Sequence, residues 1–194
     1  ILSIWGESYI SNEDNCIYVN ELAYDMGFRN GDRILSFDDY VPENFGMLQA
    51  NLARENASKA VVLRDGDTIN IYIDHNRMGD VLNTPGMFDL ARPFIVDQVP
   101  ESSPNHKAGL MEDDRIIGID STCIRFVQDA EPVLSARAGE TVRTAILRGD
   151  DTLAISLQVD TLGKFGIYTK VQGIKTKEYN LISAIPAGFS KTFS

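Results

Sequence analysis

Apolar and polar residues alternate along Ile69, Ile71 and Ile73 against Asn70 and Tyr72, and again along Leu153, Ile155 and Leu157 against Ala154 and Ser156. A period of two marks half-buried antiparallel strands. Ahead of each run stand RDGDT and RGDDT, whose Gly and Asp supply the positive φ that a tight turn needs. Two hairpins are therefore predicted. Helical spacing is rarer: Phe45, Leu48 and Leu52 follow Pro42 and end at Asn56, which predicts one helix. A second is predicted from about Gln128 to Arg137, because Pro132 is tolerated only in a first turn and Gly139 terminates the run. Short helices are also predicted in ELAYDMG and NHKAG.

The same plan occurs twice. Setting Gly27–Asp38 (GFRNGDRILSFD) over Gly109–Asp120 (GLMEDDRIIGID) gives five identities in twelve positions: Gly27/Gly109, Asp32/Asp114, Arg33/Arg115, Ile34/Ile116 and Asp38/Asp120. Farther on, Val61–Ile73 matches Ala145–Leu157, sharing Leu63/Leu147, Arg64/Arg148, Asp67/Asp151, Thr68/Thr152 and Ile71/Ile155. A spacing of 82 to 84 residues is too long for a solenoid repeat and suits a duplicated small domain. Each copy reads strand, short helix, strand, helix, hairpin: a β-rich α+β fold whose one long helix can cover a sheet edge. Asp113 replaces Gly31 at a tight turn, and Asp tolerates the left-handed geometry required there. The Asn, Gly, Asp and Pro density of NRMGDVLNTPG reads as a linker. The expected division is 1–79, 80–170 and a tail, 171–194.

Composition narrows the function. The 194 residues are 43% apolar and 24% charged, as in globular proteins. No run of eighteen apolar residues occurs, and no secretion-signal pattern is present. The chain begins with Ile, and its apolar ends imply a piece of a longer protein. A net charge of −10 without a Lys/Arg cluster repels phosphate, so nucleic acid is not expected as a partner. Cys16 and Cys123 lack metal-ligand spacing and read as small core residues. There is no G-x-S-x-G motif, and His75 and His106 lie in no catalytic pattern, each expected to face solvent. The acidic pairs Asp38/Asp39 and Asp150/Asp151 fall at turns, where Asp accepts local backbone hydrogen bonds, and no calcium loop is matched.

The second copy, FIVDQVPESSPNHKAGLMEDDRIIGID, resembles the PDZ signature of bacterial proteases, and IYVNELAYDMGFRNGDRILSFDD is a looser version. Such an element order is typical of HtrA-type serine proteases and of site-2 metalloproteases. Beyond the second hairpin, LGKFGIYTK and EYNLISAIPAGFSKTF resemble the segment that re-enters the membrane in the regulator of sigma-E protease family. The resemblance runs from about Trp5 to Phe193. It implies two tandem PDZ-like domains, each a small sheet sandwich or partly open barrel capped by helices. It also implies a parent zinc intramembrane protease whose PDZ pair faces the periplasm at the bacterial inner membrane. Neither the HExxH motif nor the later zinc-binding aspartate motif is present here, so catalysis and zinc would belong to the parent.

A PDZ groove adds an extended peptide to a sheet edge and holds its terminal carboxylate on loop N–H groups. In the second copy the expected glycine-hydrophobic loop is Gly86, Met87, Phe88 and Leu90, and the facing helix would contribute Ala130, Val133 and Leu134. The first copy has no such loop before Ile17, and its helix face, with Met47 and Ala50, reads as packing. Expected partners are transmembrane substrates or their exposed C-termini. A membrane surface is a further candidate, through Tyr179, Leu181, Ile182, Ile185, Phe189 and Phe193 of the tail. The expected role is regulatory, by docking a C-terminus or by excluding bulky substrates. A stand-alone adaptor or secretion module, or the tail of an HtrA-type protease, are the alternatives.

Overall fold

Described by a computed structural model over residues 4–180, with side chains over 7–175, the chain begins with β1 (Ile4–Ile10), β2 (Ile17–Val19), α1 (Glu21–Met26) and β3 (Arg33–Phe37). A 3-10 turn at Phe45–Met47 leads into α2 (Leu48–Glu55), followed by β4 (Lys59–Arg64), β5 (Asp67–Tyr72), α3 (Met78–Asn83) and β6 (Phe88–Leu90). Then come β7 (Val96–Gln98), β8 (Arg115–Ile119), β9 (Thr122–Cys123), α4 (Val127–Ala136), β10 (Thr141–Arg148), β11 (Asp151–Gln158), β12 (Tyr168–Thr169) and β13 (Ile174–Asn180).

Two compact units result, one holding the described residues up to Leu90 and from Gln172 onward, the other Ala91–Val171. The first contains the sheets β3-β4-β5, β2-β6 and β1-β13; the second contains β11-β10-β8-β9 and β12-β7. Among the described residues no barrel closes. Each unit has its own core, centred on Phe28, Phe37, Leu48 and Leu52 in the first and on Ile116, Ile119, Ile146 and Phe165 in the second.

Both predicted hairpins form, with different turns. Asp65 and Gly66 have φ of 49° and 87°, the type I′ pattern, whereas in the second turn Gly149 has φ of 60°, the II′ pattern. Gly31 and Asp113 share the left-handed region at 91° and 70°, so the aspartate does replace the glycine.

The recurring identities form the same bonded unit twice. Asp32 is fully buried, receives Arg64 Nε and Nη2 at 2.8 Å each, and accepts from Arg29 N, while Arg64 also donates to Gly27 O at 2.9 Å. Asp114 is 1% exposed, receives Arg148 Nε and Nη2 at 2.8 Å each, and accepts from Met111 N, while Arg148 donates to Gly109 O at 2.9 Å. Carboxylate and guanidinium thereby fasten the turn before β3 or β8 to the end of the hairpin strand. The bond from Arg148 holds the Asp114 carboxyl below the usual carboxylate range, against a burial effect of opposite sign.

Several expectations change. No helix forms at NHKAG, where Asn105 Nδ2 instead donates to Gln158 O and Phe165 O and its Oδ1 accepts from Gln158 N. That cross-link holds the segment as turns. The stretch read as a linker is helical at α3, whose Val81 is buried in the first core, so Gly79 lies within an element and the units divide after Leu90. Cys16 is partly exposed and Cys123 exposed rather than in the core, because β9 is a two-residue edge strand. Residues 174–180, counted with the tail, form β13 paired with β1; Leu181, Ile182, Ile185, Phe189, Phe193 and the side chain of Tyr179 lie outside the described residues.

Candidate functional site

The strand and loop that flank each long helix follow the hairpin of their unit. In the first unit this is β6, paired antiparallel with β2 through Ile17↔Leu90 and Val19↔Phe88. In the second it is β12, paired with β7 through Thr169↔Val96. The Gly86–Leu90 loop-strand therefore serves the first unit, where Met87 is buried in the core and Phe28 packs edge-on against Phe88 at 4.9 Å. Ala130, Val133 and Leu134 belong to the second unit. There Ala130 and Leu134 are buried core residues and Val133 packs on the same core.

The segment that faces α4 is Gly163–Thr169. A cleft of about 250 Å³ runs between them, lined on the helix by Val127, Glu131 and Leu134 and on the strand by Phe165, Ile167 and Thr169. Residues 127, 131 and 134 share one helix face by their i, i+4, i+7 spacing. The loop meets the C-terminal end of α4 closely: a Cβ on Gly163, whose φ is 76°, would lie 3.1 Å from Ser135 Cα and 3.2 Å from Ser135 N. At the other end Val127 N donates to Arg92 O at 2.7 Å, Arg92 N donates to Gln128 Oε1, and Lys170 N beyond β12 donates to Ile95 O. Lys170 also pairs with Asp113 at 2.6 Å and Glu112 at 3.0 Å, which pushes its ammonium pKa up. Both ends of the cleft are thus pinned.

Backbone orientation gives the cleft its chemistry. Phe165 O is drawn inward by Asn105 Nδ2 at 2.8 Å and Ser103 Oγ at 3.2 Å. In a trans peptide the N–H points opposite the C=O, so the Gly166 N–H turns away from that interior, toward the cleft that Gly166 lines. Lys164 O is likewise held by Asp160 N at 2.8 Å, which turns the Phe165 N–H the opposite way. The N–H groups of Phe165, Gly166 and Ile167 meet no acceptor among the described residues. Free donors beside a partly apolar cleft could receive an anion at the end of an extended chain.

The first unit lacks this arrangement. At the matching loop Met87, aligned in sequence with Phe165, already donates its N–H to Gln49 Oε1 at 3.1 Å. Gln49, on α2, also donates through Nε2 to Val81 O and Thr84 O at 2.7 Å each. Its carboxamide occupies the place a ligand would take.

Size alone does not mark a site. A larger cavity of about 520 Å³ in the first unit is lined by Tyr9, Asn12, Arg33, Glu43 and their neighbours, yet it presents no comparable row of free backbone donors. The imidazoles remain peripheral. His75 and His106 are exposed, the first bonded to Ser58 Oγ at 2.8 Å and the second to Val99 O at 3.0 Å. No group of three or more His, Cys, Asp and Glu side chains is placed to hold a metal ion among the described residues.

Of the residues expected to line a groove, Leu134 lies on this cleft, Ala130 and Val133 pack in the second core, and Gly86, Met87, Phe88 and Leu90 lie in the first unit. LGKFGI follows the second hairpin as TPGMFD follows the first, and that parallel was the available signal. It was obscured because α3 lengthens the connection in the first unit only.

The chain is 27% identical over 108 residues to a Mesorhizobium japonicum protein provisionally named as a zinc metalloprotease, a match covering 51% of this chain and 29% of the relative's length. Among solved structures, the PDZ domain of an SdrC-like protein from Listeria monocytogenes matches with a TM-score of 0.34 and 22% identity, over 39% of this chain and 84% of that one. The family profile described as PDZ domain matches residues 86–159, so the chain carries a PDZ domain over that stretch and is similar to a bacterial protein named as a zinc metalloprotease.

Proposed function

We propose that the second unit binds the free C-terminal end of a polypeptide by strand addition along Phe165–Thr169, with the terminal carboxylate on the N–H groups of Phe165, Gly166 and Ile167. The free donor row, beside walls formed by Val127, Leu134 and Phe165, carries this reading. Side chains of an extended peptide alternate in direction, so its last and third-from-last residues face these apolar walls. Calorimetry with acetyl-Ala-Ala-Val-Ala-Phe tests the reading. The free acid binds, and the C-terminal amide binds about tenfold or more weakly, as expected for hydrogen bonds to a charged group. Equal binding, or amide shifts outside residues 163–169 and α4, would overturn it.

In its setting, the chain is the water-facing module of a site-2-type zinc protease, on the periplasmic side of a bacterial inner membrane. It controls which transmembrane substrates reach catalysis elsewhere in that protein. Zinc and its ligands belong to the remainder. Among the described residues no helix is long and apolar enough to cross a membrane.

A second reading, a steric filter against bulky substrates, is favoured by the first unit, whose loop is closed by Gln49. Thr169→Trp in the full-length protein separates the two. It fills the second cleft; loss of regulated cleavage favours docking, and unchanged cleavage favours the filter.

A further inference from the structure

The long helices of the two units can be aligned by their buried positions: Leu48 and Leu52 in α2, Ala130 and Leu134 in α4, an offset of 82 that matches the first repeated block. That alignment places Gln49 over Glu131. Gln49 closes its own loop by accepting from Met87 N. Glu131 lines the second cleft, one turn before the residues that meet the loop, and has the same reach. A carboxylate is a stronger acceptor for free backbone N–H groups than a carboxamide. Glu131 nevertheless leaves Phe165, Gly166 and Ile167 unengaged. Its Oε1 is held by Arg92 Nη2 at 3.0 Å, at the far end of the cleft.

We propose that Arg92 is a positioning residue that keeps the second cleft open: by pairing with Glu131 it prevents that carboxylate from binding the loop donors as an internal ligand. This rests on the second cleft being the peptide site. Arg92 is set in place by the bonds of its own backbone, N–H to Gln128 Oε1 and C=O from Val127 N, so its side chain starts from the first turn of α4 and reaches Glu131 along the helix. Both partners are about half exposed, at 47% and 51%, so the hold is modest and weakened by salt.

The test is a double-mutant cycle in the intact 194-residue chain. Without peptide, Arg92→Ala is expected to move the Phe165, Gly166 and Ile167 amide proton signals downfield, Arg92→Lys to leave them near the wild-type positions, and Arg92→Ala/Glu131→Ala to return them. With acetyl-Ala-Ala-Val-Ala-Phe, Arg92→Ala is expected to weaken binding about three- to fivefold, within the range of an exposed ion pair. In the Glu131→Ala background the same change should have no effect. Loss of simple charge attraction predicts equal weakening in both backgrounds and unmoved amides, and that result overturns the proposal. If the wild type binds no peptide, the assignment of the cleft fails; the amide signals still decide the role of Arg92.

Discussion

The two units repeat one framework and end in opposite states of the same loop. In the first, Gln49 takes the Met87 N–H; in the second, three successive N–H groups are left without an acceptor among the described residues. Duplication therefore preserved what fastens the fold, the Asp32–Arg64 and Asp114–Arg148 pairs, while the residues that would handle a ligand diverged. The cores can tolerate this because a loop donor contributes little to packing. Losing a buried carboxylate would not be tolerated in the same way.

That difference can be tested from the framework downward. Asp114→Ala should leave Arg148 without its carboxylate and Met111 N without its acceptor, giving the largest fall in urea midpoint of the series, and Asp32→Ala should act similarly through Arg64 and Arg29 N. Hydrogen exchange should show protection lost in the unit that carries the change. Comparable losses support a shared framework; a loss in only one unit breaks the comparison.

Gly163→Ala comes next. A left-handed φ and a Cβ 3.1 Å from Ser135 Cα force the loop off α4, so about 2–3 kcal/mol of stability and much of the peptide affinity should be lost. Gly86→Ala in the first unit meets nothing within 4 Å and should cost only about 1 kcal/mol, the conformational strain alone. Chemical denaturation of the two variants gives the contrast directly.

Gln49→Ala removes three hydrogen bonds of a partly buried side chain and should cost about 1–2 kcal/mol. Amide exchange of Met87 should accelerate as its acceptor is lost. Carboxylate binding by that variant would show that Gln49 alone closes the first loop.

The smallest expected effect is a pH dependence. Arg148 depresses the folded-state pKa of Asp114, so the carboxylate contributes stability that is fully present above its unfolded pKa, about 4. This contribution falls away as pH drops through the lower folded value. Urea midpoints taken downward from pH 5 should fall, and Arg148→Gln should flatten that acid limb.

By itself the amino-acid order determined the duplication, both hairpins, the two long helices and the exchange of Gly31 for Asp113, because each depends on local φ preference or on a period that nearby residues already set. It also marked Asp32, Arg64, Asp114 and Arg148 as recurring, without revealing that they bond. Only tertiary structure decided which loop faces which helix. Phe88–Leu90 stands immediately before the second repeat but pairs with Ile17–Val19, and the loop at Phe165–Ile167 is oriented by Asn105, about sixty residues earlier in the chain. Strand partnership and the direction of a peptide plane are settled by non-local hydrogen bonds, and no periodicity encodes these.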